Sequence, residues 1–196
     1  MNDLPKEQYK EFAEEYSKTI EIPEEKGKQF LLCPVGIVGA GKTTVVKPLA
    51  EKFGLVRISS DEMRKMLKEK GFSYKGVQEM ALIVVRDFII KGYGVAIDAD
   101  CSKPERRKEI ENFSAKTSIP LIWIHINPPE EFILNKLRNY KHTWLFKDAD
   151  EAIGNYEFRK PLHQNLDFNF TYTFDTSKSN LSDQIEEAYQ IIKSAI

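Results

Sequence analysis

The sequence is short of several features that would assign a class at once. It has two cysteines in 196 residues, Cys33 and Cys101, and three histidines. Cys33 falls in a predicted strand and Cys101 in a predicted loop. Neither stands in a paired or cysteine–histidine spacing, so neither a disulfide framework nor a zinc site is expected. Charge is balanced: 29 Lys+Arg face 30 Asp+Glu, a net of -1. No global positive field is there to gather long nucleic acid or coat an anionic membrane, although a local basic patch is allowed. No apolar run reaches the ~18 residues of a membrane span. The segment Met1-Asn2-Asp3-Leu4-Pro5-Lys6 lacks a basic stretch followed by an apolar one, so it does not read as a signal peptide. The expected setting is a reduced, cytoplasmic one. The nine prolines are scattered rather than gathered in a linker, and no internal repeat or low-complexity tract is found.

What is present is ordinary globular composition, 41% hydrophobic and 30% charged, enough for a cored domain. The expected organisation is an amino-terminal helical extension over 1–28 and a main domain over 29–196. In the extension Leu4, Tyr9, Phe12, Ala13 and Tyr16 recur about three and four residues apart, which predicts an amphipathic helix. Pro23 and Gly27 end it or lie beyond its end. Its expected role is to pack on the main domain, with a partner-binding arm as the lesser option.

In the main domain Phe30–Val35 is almost wholly apolar, which suits a strand covered on both faces. Further strands are expected at Leu55–Ile58, at Val95–Ile97 ending on Asp98, at Leu121–Ile126, and within Asp167–Phe174. Helices are expected from Lys42, from near Asp61, over Tyr74–Lys91, Lys103–Ala115, after Pro128 and Pro129, and over Leu181–Ile192. Strands alternating with helices predict an α/β fold, a three-layer sandwich around a five-stranded parallel sheet with the first strand central.

Gly36-Ile37-Val38-Gly39-Ala40-Gly41-Lys42-Thr43 matches the phosphate-loop pattern G-x-x-x-x-G-K-[ST], with a strand before it and a helix after it. The glycines let the backbone curl so that successive N–H groups point inward. The helix N-terminus adds the positive end of its dipole. Gly36, Gly39, Ala40, Gly41, Lys42, Thr43 and Thr44 are therefore expected to cradle ATP. Lys42 reaches the terminal phosphates, and Thr43 offers a hydroxyl to Mg²⁺. Pro48 falls inside the following helix, where it removes the bond to the Thr44 carbonyl and predicts a kink.

Asp98 ends a strand at the edge where α/β sheets bind ligands. It is expected to hold Mg²⁺ through water or to orient the acceptor, with Asp100 a weaker second choice. Asp61 begins a helix after the second strand, with Ser59 or Ser60 as its N-cap. Transfer to an alcohol needs an acceptor for the hydroxyl proton, and Asp61 is the candidate. Arg64 lies three residues on, on the same helix face, suited to an anionic group on the acceptor. An acid in a first turn and an arginine on a solvated face are also ordinary in helices. Arg106 and Arg107 follow Pro104, and one is expected to face phosphate; Arg107 is taken as the candidate for substrate contact. Lys136–Lys147 holds Lys136, Arg138, Lys141, His142 and Lys147 with no acid, a local patch suited to a lid near 136–160. Arg159 is a further candidate. Trp123 reads as core, Trp144 as part of the lid, and His125 as structural. His163 has no ligand pattern around it.

These segments resemble the P-loop kinases of the polynucleotide kinase-like group, which adjoins zeta-toxin and gluconate kinase-type enzymes. The likeness runs from about Phe30 to Ile192. It rests on GIVGAGKTT from Gly36, on Ile58–Arg64 ending in D-x-x-R, on VAIDADCSKPERR from Val95, and on Arg138. The resemblance implies an ATP- and Mg²⁺-dependent kinase acting on a hydroxyl-bearing acceptor. That acceptor is a nucleotide, a nucleic-acid 5′ end or a small metabolite. It implies Asp61 as base or orienting acid, Arg64 on an acceptor phosphate, Asp98 on acceptor or metal water, and Arg138 bracing the ATP phosphates. Asp100-Cys101 stand where relatives commonly have Thr-Asn, and His142 where a second lid arginine is expected. A nucleotide-dependent switch that does not transfer phosphate is the alternative class. No N-K-x-D tetrapeptide supports a guanine-specific GTPase.

Overall fold

The computed structural model describes residues 1–141 and 145–196. Five parallel strands form one sheet in the order β2-β3-β1-β4-β5. They are β1 (Leu31–Val35), β2 (Val56–Ser59), β3 (Val95–Asp98), β4 (Leu121–Ile126) and β5 (Tyr172–Phe174). β1 is buried at every position and lies in the middle, as its apolar run predicts. The helices are α1 (Tyr9–Ser17), α2 (Lys42–Phe53), α3 (Ser60–Glu69), α4 (Val77–Ile90), α5 (Pro104–Thr117), α6 (Glu130–Arg138), α7 (Ala149–Gln164) and α8 (Leu181–Ala195). They cover both faces of the sheet and leave two apolar clusters, one on each side. No helix among the described residues is long and apolar enough to cross a membrane.

α1 buries Tyr9, Phe12, Ala13 and Tyr16 in the same cluster as the apolar face of α4. The Tyr16 hydroxyl accepts from the Ser59 N–H at 3.0 Å and donates to the Ser59 carbonyl at 3.2 Å. Local signals start the helices that reach the site. Ser59 caps α3, its hydroxyl accepting from the Glu62 N–H at 3.3 Å. Pro104 opens α5 at a position where its missing N–H costs nothing. Asp148 caps α7, accepting from Glu151 N–H at 2.9 Å. α2 runs through Pro48 as one helix. His142 and Trp144 lie outside the described residues.

Candidate active site

The carboxyl ends of β1, β2 and β3 open onto a cavity of about 690 Å³. The turn after β1 supplies its floor. Gly39 (φ +82°) and Gly41 (φ +94°) hold left-handed backbone that other residues adopt at a cost. A Cβ at Gly41 would also stand 3.2 Å from Thr176. Lys42 Nζ curls over the turn and donates to the carbonyls of Gly36 (2.8 Å) and Ile37 (3.1 Å). Thr176 braces the turn from the segment after β5, its hydroxyl donating to the Ala40 carbonyl at 2.7 Å.

Asp98 sits at the end of β3 and is buried. Its Oδ1 accepts from the Thr43 hydroxyl at 3.1 Å and its Oδ2 from Arg57 at 2.6 Å. Burial pushes the Asp98 carboxyl above its ordinary value, against the pull of Arg57, Thr43 and Lys42. Arg57 also pairs with Glu62 in the first turn of α3. One guanidinium therefore ties the end of β3 to the helix that carries Asp61. Asp61 and Arg64 form an i, i+3 pair at 2.5 Å on α3, and both line the cavity.

Asp100 is held by three elements. Its Oδ1 accepts from the N–H groups of Gly36 (3.4 Å) and Ser102 (3.2 Å). Its Oδ2 accepts from the Ser102 hydroxyl (2.7 Å) and faces His163 Nε2 of α7 at 3.2 Å. Burial opposes its ionisation, but His163, Lys42 and Ser102 outweigh it and hold the carboxyl well below the usual range. Behind it lie the two buried thiols. Burial, with Cys101 beside it, pushes Cys33 up. The hydrogen bond from Cys33 and the charge of Arg106 hold Cys101 below its ordinary value against its own burial.

The far wall comes from α6 and α7, through Lys136, Glu151, Asn155 and Arg159. Partial burial of its ammonium and the charge of Lys42 hold Lys136 below its ordinary value. Two cations thus face one space, an arrangement that a bound anion stabilises.

The fold gathers Gly39, Gly41, Lys42, Thr43, Thr44, Asp61, Arg64 and Asp98 around one cavity. Gly36 and Ala40 belong to the same turn. Two of the expected arginines lie outside this lining. Arg107 stands outside the lining. It pairs with Glu111 at 2.7 Å, donates to the Asp167 carbonyl and lies over the Phe168 ring at 4.3 Å. Arg106 lines the cavity instead. The buried face of α5 carries Arg106 and Ile110, four residues apart, and position 107 is turned about 100° from it. Arg138 is exposed at the end of α6 and outside the lining, while Lys136 is within it. Arg57, Thr176 and the His163–Asp100 contact were not expected from the sequence. An arginine between the apolar Val56 and Ile58 of β2 was the one available signal.

Residues 31–152 match the model of a family described as AAA domain. No curated protein matches the chain. Among solved structures it is similar to a gluconokinase from Sinorhizobium meliloti 1021, at 14% identity and TM-score 0.58, over 87% of this chain and 95% of that one. It is also similar to the Mycobacterium tuberculosis APS kinase in complex with AMPPNP and APS, at 16% and 0.58, over 85% and 99%. A shikimate kinase from Acinetobacter baumannii in complex with shikimate gives 19% and 0.51, over 85% and 94%. At these identities the likeness is one of fold, the α/β fold of P-loop kinases.

Proposed function

Because the chain belongs to the AAA domain family, we propose that it is an ATP-dependent phosphotransferase acting on the hydroxyl of a small polar acceptor. One observation carries this reading. A single cavity is lined by a phosphate loop, by Asp98 beside its Thr43, and by Asp61 and Arg64 of α3. A phosphate loop alone accounts for binding. Transfer also requires a carboxylate to receive the acceptor proton and cations to steady the moving charge. The likeness to gluconokinase, APS kinase and shikimate kinase supports a small metabolite over a polynucleotide end, as does the net charge of -1.

In this reading Lys42 exchanges its two loop carbonyls for the terminal phosphates. The Thr43 hydroxyl and the Asp98 carboxylate, 3.1 Å apart, are the hard oxygen donors that Mg²⁺ takes, with water completing its shell. They fit that ion, which when bound neutralises phosphate charge. Arg57 keeps Asp98 aimed at Thr43. Asp61 orients the acceptor hydroxyl and receives its proton as the new O–P bond forms and the bond to the bridging oxygen of ADP breaks. Arg64 steadies Asp61 and the acceptor. Residues 136–160 act as the lid, with Lys136 and Arg159 supplying the charge expected of Arg138.

The test is ADP release from ATP and Mg²⁺ across nucleosides, 3′-phosphorylated nucleotides, 5′-hydroxyl oligonucleotides and sugar acids, with Lys42→Ala as control. Asp61→Ala should abolish acceptor-dependent release and leave ATP affinity intact. Retained turnover in that variant removes the role given to Asp61. Tight ATP binding with no stimulation by any class favours a nucleotide-dependent switch.

A further inference from the structure

Arg106 is 2% exposed, and its Nε and both terminal nitrogens are buried without a hydrogen-bond partner. Among the described residues, no other buried side-chain nitrogen or oxygen is left in this state. A guanidinium does not shed its proton to escape burial, so its charge and its five N–H donors remain. Buried polar groups are almost always partnered, so one left without a partner points to something that meets it there. The arginine lies in the cavity wall, in the first turn of α5. No N-cap side chain closes that helix end, and Lys103 beside it also lines the cavity. The helix dipole and two cations therefore converge there.

No described side chain meets the Arg106 nitrogens as a hydrogen-bond partner, and Asp98 is engaged by Thr43 and Arg57. Asp100, the acid on the same wall, has both oxygens engaged by Gly36, Ser102 and His163. Asp61 is taken by Arg64. The Cys101 sulfur behind the arginine offers one weak acceptor to five donors.

We propose that the acceptor carries an oxyanion, a carboxylate or a phosphate ester, and that Arg106 binds it together with Lys103 and the open end of α5. The proposal rests on the phosphotransfer reading for the site and adds the chemistry of the molecule that enters it. A planar guanidinium grips either oxyanion with two parallel hydrogen bonds. That grip fixes which end of the acceptor faces the phosphate loop, so Arg106 determines specificity and does not take part in the proton transfer.

The test uses the full chain with Mg²⁺ and AMPPNP, which occupies the phosphate loop and keeps added anions from binding there. Two matched pairs serve as probes: D-gluconate against D-glucitol, and glycerol 3-phosphate against glycerol. Inorganic phosphate is the minimal probe. Binding is read by calorimetry and by thermal melting, and turnover by ADP release from ATP. A charged probe should bind and its neutral partner should not, and the two pairs distinguish carboxylate from phosphate. Arg106→Met should weaken that binding about 10–100-fold and leave AMPPNP affinity unchanged. The variant should melt no lower than the parent, because it removes a buried unpaired charge. The proposal is overturned if charged and neutral probes bind alike, if neither charged probe nor inorganic phosphate binds, or if Arg106→Met melts lower while binding every probe as before. Anion binding lost in Arg106→Met without acceptor-dependent ADP release would overturn the phosphotransfer reading and leave the oxyanion site standing. Turnover of neutral acceptors that Arg106→Met leaves unchanged would do the reverse.

Discussion

Replacing Tyr16 by phenylalanine should weaken the site from behind, at a residue that touches nothing in the cavity. The Tyr16 side chain is 1% exposed, and its hydroxyl meets both the N–H and the carbonyl of Ser59. These two groups of one residue point to the same side of β2, the open edge of the sheet. Tyr16 occupies there the place of a neighbouring strand. Burial pushes the Tyr16 hydroxyl up, so it stays protonated and keeps its donor. Phenylalanine retains the ring and its apolar contacts. What is lost is the partner of two backbone groups in a residue only 4% exposed. Leaving such groups unpaired costs about 1–3 kcal/mol. For a chain of this size that lowers the melting temperature by roughly 2–12 °C. Urea unfolding followed by circular dichroism is the assay, with the slope expected to stay constant and the midpoint to fall. Because Ser59 caps α3, the variant should also lose acceptor-dependent ADP release faster than ATP binding as temperature rises. An unchanged midpoint at unchanged slope would refute the pairing and the argument built on it.

Three further outcomes are expected. Gly41→Ala forces a side chain into φ +94° and against Thr176, so it should cost about 1–3 kcal/mol and weaken AMPPNP binding, read by melting and calorimetry. His125 is held below its ordinary 6.5, first by burial and then by the charge of His163. As pH falls through 6.5, the unfolded chain takes up a proton that folded His125 does not, so stability should drop. It should be regained above 6.5. His125→Phe keeps the stack on Phe170 and should flatten that stretch of the stability–pH curve. Arg107→Met removes a partly exposed pair with Glu111, so it should lower stability by up to about 1 kcal/mol and leave acceptor KM unchanged, in contrast to Arg106→Met.

The parts of the fold legible in the sequence are those whose physical cause is local. Glycines and a lysine in fixed register both make the phosphate turn and mark it. β1 declares its central place by being apolar on both faces. Ser59 and Pro104 announce the starts of α3 and α5. The place of Asp98 beside the turn could be read because it ends an apolar strand at the carboxyl edge of the sheet. The remaining features depend on residues brought together from afar. Arg57 reaches Asp98 across 41 positions and His163 reaches Asp100 across 63, and no periodicity carries either contact. The choice between Arg106 and Arg107 is a matter of helical phase. Ile110, four residues after Arg106, held that information, whereas the pairing of the two arginines concealed it. Lys136 and Arg138 flank the buried Leu137 of α6 and are both exposed, and Lys136 is the one that lines the cavity.

The contact between Thr176 and the Ala40 carbonyl spans 136 residues. On the ribosome the phosphate loop therefore emerges well before the residue that braces it. At roughly 5–20 residues per second the interval is roughly 7–27 s. Throughout it the loop lacks its brace, and α2 lacks the cover of α8. A chain whose synthesis has not yet passed β5 therefore carries the glycine-rich turn without the hydroxyl that holds it.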